Sequence, residues 1–103
     1  MNYQKNKELF SKYEDLRDVV RNSKQLVWYM QKVVDEDKYQ TTSVDIEAHN
    51  ERGREVANVY RMPVNNKRLL GLLLTEINEN MVRLNALGRQ LNIDEVTFAQ
   101  LTE

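Results

Sequence analysis

The only histidine of the chain, His49, stands a short way before Glu55. An imidazole beside a carboxylate is the pair from which proton shuttles and half metal sites are built. With no cysteine and no second histidine, only carboxylates remain to complete a metal shell, so this pair reads as ordinary surface chemistry. Acidic neighbours such as Glu14 with Asp15, Asp35 with Glu36 and Glu76 with Glu79 have the composition of a general acid–base dyad or a hard-cation site. They are interleaved with bases one helical turn away, as in Asp18 with Arg21 and Glu79 with Arg83, which is the spacing of solvated ion pairs. The chain has no Gly-rich phosphate loop, no nucleophile elbow and no serine with a matching His and Asp set. The expectation is a protein that is not an enzyme and holds neither metal nor cofactor.

Cations offer a second kind of chemistry. Lys67 and Arg68 fall in the first turn of a Leu-rich helix, where the macrodipole disfavours positive charge by about 0.3 to 1 kcal/mol. Unpaired N–H groups at that turn, with Arg61 close in sequence and Arg52 and Arg54 at the tip of an expected hairpin, would suit a phosphate or carboxylate. They define an alternative function, binding of nucleic acid or of a small phosphorylated ligand. Overall charge gives no support to a polyanion partner, because 15 basic residues face 16 acidic ones for a net charge of -1.

Aromatic residues off the main apolar seam make the third group. Phe10 and Trp28 share one stripe of the first helix, five turns apart, and Tyr29 adjoins Trp28. Leu26-Val27-Trp28-Tyr29-Met30 spreads apolar side chains around nearly the whole helix, which predicts a turn enclosed on all sides.

The elements that carry these groups follow from periodicity. Over about 4–36, Leu9, Tyr13, Leu16, Val20, Ser23, Val27, Met30 and Val34 alternate spacings of four and three, a heptad-like helical seam. Val19, Leu26 and Val33 widen it on one side, and a wide stripe means more than one neighbour. Over about 42–62 a hairpin explains the pattern best. Asn50-Glu51-Arg52-Gly53 suits a type I turn with a left-handed Gly, and pairing Asn50 with Arg54 sets Ile46 opposite Asn58, Val44 opposite Tyr60 and Thr42 opposite Met62. Pro63 is expected to end that strand, and Asn65 or Asn66 to cap a helix over about 65–91. Its face carries Leu70, Leu73, Leu74, Ile77, Met81, Leu84, Leu87 and Leu91, with Gly88 permitting a close approach. A short helix over about 95–102, capped by Asp94 with Ile93 stapled to Phe98, is expected to lie across the core.

The fold expected is therefore mainly α, or α+β with the hairpin: two long amphipathic helices flanking a hairpin, α-β-β-α, plus a short C-terminal helix. The alternative is an all-α bundle. At 103 residues the chain is expected to form one domain, 1–103. Its longest apolar runs fall far short of the roughly 20 residues that span a bilayer, and its first residues lack a signal-peptide core. With no cysteine, a soluble cytoplasmic protein is the expectation.

A lone hairpin is marginal in water, and Phe10, Trp28, Leu72 and Val82 leave apolar surface over. Both features predict self-association as a dimer or higher oligomer. The function expected is a non-enzymatic protein-interaction module, an adaptor, assembly factor or inhibitor that covers a partner protein through Phe10, Trp28 and Tyr29.

Overall fold

The computed structural model describes residues 3–38, 40–46 and 60–103. Helix α1, Tyr3–Glu36, leads to strand β1, Thr41–Ile46. Strand β2, Tyr60–Asn65, pairs with it antiparallel and runs directly into helix α2, Asn66–Gln90, and helix α3, Phe98–Thr102, follows. The architecture is α-β-β-α with a short C-terminal helix, and the long helices begin and end within a residue of the positions read from periodicity.

The sheet register differs from the expected one. Val44 pairs with Met62 and Ile46 with Tyr60, two residues along from the pairing inferred from turn chemistry. A shift of two leaves every side chain on its own face, so the polarity sorting that suggested the register could not have detected it. Thr42, Val44, Met62 and Val64 still share one face, opposite Ser43, Asp45, Arg61 and Pro63. Pro63 does not end the strand but pairs with Ser43 inside it. Both strands of a two-stranded sheet are edges, and an edge tolerates a residue that cannot donate. The turn at 50–53, with His49, Arg52, Arg54 and Glu55, lies outside the described residues.

Helices α1 and α2 pack together along the expected seam. Tyr13, Val20 and Met30 of α1 are buried, as are Leu70, Ile77 and Leu84 of α2. Asn65 caps α2, its side chain accepting from the Arg68 backbone N–H at 3.1 Å. The first helical residue, Asn66, is buried and ties the sheet to the helices: its backbone N–H donates to Gln40 O, and its side chain accepts from Thr42 Oγ1.

The far end of α2 closes in a Schellman turn. Ile93 N–H donates to Gly88 O at 2.8 Å and Asn92 N–H to Arg89 O at 3.3 Å, with Asn92 in the left-handed region at φ 59°. Gly88 serves close approach, since a Cβ there would lie 3.4 Å from both Ile93 O and Tyr13 Cε2. Tyr13 thus meets α2 near its last turn, and the turns of α1 before it, Phe10 included, run on past α2.

Chain 93–97 then folds back along the helix pair. Asn85 grips Val96 through two hydrogen bonds, its amide donating to Val96 O and accepting from Val96 N–H, both 3.0 Å. The helix beyond is capped by Thr97, not Asp94, in a full capping box: Thr97 Oγ1 accepts from Gln100 N–H, and Gln100 Oε1 accepts from Thr97 N–H. Asp94 loses that place because Asn85 and the Schellman turn hold the backbone around it outside a helix. Leu101 completes the core with Tyr13, Val20 and Leu84, while Ile93, Val96 and Phe98 pack against its edge. The α3 end is fastened to α1 by Arg21 Nε and Lys24 Nζ, which donate to Leu101 O and Thr102 O.

The result is a thin, long particle, 54 × 33 × 16 Å, with a radius of gyration of 16.6 Å against about 13 Å for a compact chain of this length. Its accessible surface is 8225 Å², whereas an average folded monomer of this mass exposes about 6,100 Å². Among the described residues, no helix is long and apolar enough to cross a membrane.

Candidate functional site

The aromatic residues singled out from the sequence lie on α1, and the structure leaves all three exposed. Trp28 is 61% exposed, Tyr29 54% and Phe10 46%. The turn containing Trp28 and Tyr29 is not enclosed all round: Met30 alone of its five apolar residues is buried, and Leu26 is 49% exposed. Among the described residues, α2 and α3 are the elements packed closely on α1, and a helix with two neighbours cannot hide an apolar turn on every side.

Trp28 and Tyr29 border a crevice of about 590 Å³ between the last turns of α1 and the start of β1. Lys32, Val33 and Glu36 continue the helical wall, and Lys38, Thr41 and Thr42 form the other side. The Lys32 ammonium sits 5.2 Å from the centre of the Trp28 ring, within cation–π range. The ammonium lies against the indole while the Trp28 side chain stays largely exposed. The mouth thus combines a broad aromatic surface, two ammonium groups, the Glu36 carboxylate and two threonine hydroxyls, which suits an apolar side chain carried by a polar segment.

Phe10 does not join this crevice. Eighteen residues of helix place it about 27 Å from Trp28 along α1, and Arg21 and Lys24, engaged with the end of α3, lie on the flank between them. The three aromatic residues therefore form two separate spots. Lys32 was missed from sequence, although its spacing of four from Trp28 is the signal that would have found it.

The basic residues are less coherent. Arg61 Nε donates to Asp45 Oδ1 across the sheet at 2.9 Å. That hydrogen bond, and then the guanidinium charge, hold the Asp45 carboxyl below the usual carboxylate range and push Arg61 up. Asn65 already accepts from one N–H of the first turn of α2. Lys67 borders a smaller crevice of about 330 Å³ with Val34, Asp37, Gln40, Asn65 and Asn66, where Asp37 offers a carboxylate in place of an anion's partner. Arg68 is exposed at the same helix end, and Arg52 and Arg54 lie outside the described residues. Among the described residues no group of three or more His, Asp or Glu side chains is placed to hold a metal ion.

Comparison with protein-family models, with curated proteins and with solved structures finds no match for this chain.

Proposed function

We propose that this chain is a non-enzymatic protein-interaction module that works as a small homo-oligomer and engages a partner protein through the Trp28–Tyr29 crevice. The observation that carries the reading is an exposed indole and phenol at the mouth of a 590 Å³ crevice, on a particle whose surface exceeds that of a compact chain by roughly 2,000 Å². Exposed aromatic residues beside a concavity are the usual anchors of a protein interface. Adaptors, assembly factors and inhibitor-type regulators act in this way, by covering a surface and not by turning over a substrate. The absence of cysteine suits a reducing compartment, and the cytoplasm is the location proposed.

The other reading, capture of nucleic acid or a small phosphorylated ligand by Arg52, Arg54, Arg61, Lys67 and Arg68, has less support, because Arg61 is committed to Asp45 and Lys67 stands beside Asp37.

Native mass spectrometry of the tagged chain recovered from its own host tests the proposal. The unmodified chain is expected as a multimer with a second protein bound. Trp28→Ala is expected to lose that protein while keeping its helical circular dichroism. Retention of both multimer and bound protein by a folded Trp28→Ala variant would remove the anchor role, and a bound nucleotide or nucleic acid would favour the other reading.

A further inference from the structure

Helix α1 carries two seams, and among the described residues only one is packed within the chain. The first faces α2. The second runs Val19, Asn22, Leu26, Tyr29, Val33, alternating steps of three and four, and lies roughly 110° around the helix from the first. It also lies roughly 150° from the flank that Arg21 and Lys24 present to α3. Val19 is 58% exposed, Leu26 and Tyr29 about half exposed, and Val33 partly so. A helix with two apolar seams about a right angle apart has the design of a four-helix bundle member, in which each helix touches two neighbours. By contrast, the exposed Leu72, Leu74 and Val82 of α2 are scattered around that helix and define no seam.

We infer that the second seam is covered by the same seam of a second copy, the two α1 helices running antiparallel about Gln25, so that two single-layer chains close into one two-layer bundle. Area and charge both point to this occupant. A dimer of ordinary size takes about 800 Å² from each partner, well within the excess surface of this chain. Along one edge of the seam stand Asp18, Gln25 and Lys32, seven residues apart and all exposed. Antiparallel pairing about Gln25 sets each Asp18 opposite the Lys32 of the second copy, twice by symmetry, and Gln25 against its twin. Parallel pairing gives neither carboxylate a cation along that edge. The same arrangement takes Tyr29 and Val33, which also line the crevice, into the seam and leaves the crevice's Trp28 side, roughly 140° around the helix, open to a different partner.

This inference rests on the proposed homo-oligomer and adds its surface and direction. Sedimentation equilibrium on the seam variants, with spin-label distances from the Ser11→Cys chain, tests it. The chain has no cysteine, so the label is unique. Antiparallel α1 helices centred on Gln25 place the two labels about 40 Å apart, from a rise of 1.5 Å per residue, whereas a parallel pair places them within about 20 Å. Leu26→Glu puts two carboxylates in the shared seam and is expected to raise the dissociation constant about 100-fold or more, with helicity retained because Leu26 is half exposed in one chain. Asp18→Lys is expected to weaken the dimer, and Asp18→Lys with Lys32→Asp to restore it. A dimer with the short distance, or one indifferent to Leu26→Glu and Asp18→Lys, overturns the seam and leaves the oligomer standing. A monomer overturns both.

Discussion

Replacing Asn85 with alanine separates the tail from the helix pair at one chosen point. The Asn85 amide makes two hydrogen bonds of 3.0 Å to the Val96 backbone, on a partly buried edge of the core. Each contributes about 1 kcal/mol net, and the Val96 N–H and C=O left behind keep part of their desolvation cost, so the loss is about 2 to 3 kcal/mol. In a domain of marginal stability this is a large fraction of the whole. The effect should be local before it is global, because α3 is only five residues long and its buried contribution is Leu101. Hydrogen exchange read by mass spectrometry is the assay. Amides of 93–103 should exchange much faster in Asn85→Ala, those of α1 and α2 changing little, while the urea midpoint falls. If the tail amides keep their protection, Val96 is held by something other than Asn85 and the account of the tail is wrong.

Leu84→Ala removes the most enclosed leucine, 0% exposed among Tyr13, Val20 and Leu101, and should cost about 3 to 5 kcal/mol in denaturant titration. Gly71→Ala should stabilise α2 by up to about 1 kcal/mol, seen as a higher melting temperature, because a Cβ at that mid-helix position meets nothing within 4 Å. Asp45 has a carboxyl depressed by Arg61, so its contribution exists above its unfolded value near pH 4 and is lost as pH falls through the lower folded value. Both side chains are more than half exposed, so Arg61→Gln should raise the Asp45 titration midpoint, read by NMR, and leave the melting temperature at neutral pH nearly unchanged.

Long-range order was legible in the residues wherever periodicity or capping chemistry marked it. The apolar repeat from Leu9 to Val34 defined α1 within a residue, and Asn65 was readable as a cap because its side chain precedes a Leu-rich run. Thr97 and Gln100 spell a capping box just as plainly, yet Asp94 drew the assignment because the Asn85–Val96 clasp, eleven residues apart in sequence, leaves no local signature. The register error has a similar origin. Turn chemistry fixes pairing only to within steps that preserve the faces, and the apolar pattern cannot tell a shift of two from none. At the candidate site, exposure was legible only in part: the off-seam places of Phe10, Trp28, Leu72 and Val82 marked them as surface that one chain leaves over, and all four are exposed. The crowding of apolar residues from Leu26 to Met30 looked like burial, and only the positions of α2 and α3 show that one chain leaves most of that turn in solvent.

Sedimentation equilibrium of the unmodified chain, from micromolar to millimolar concentration, tests most directly whether one copy can hide its own apolar surface. The mass is expected to rise to a multiple of 12.2 kDa within that range. A mass that stays at 12.2 kDa up to the highest concentration would contradict the account.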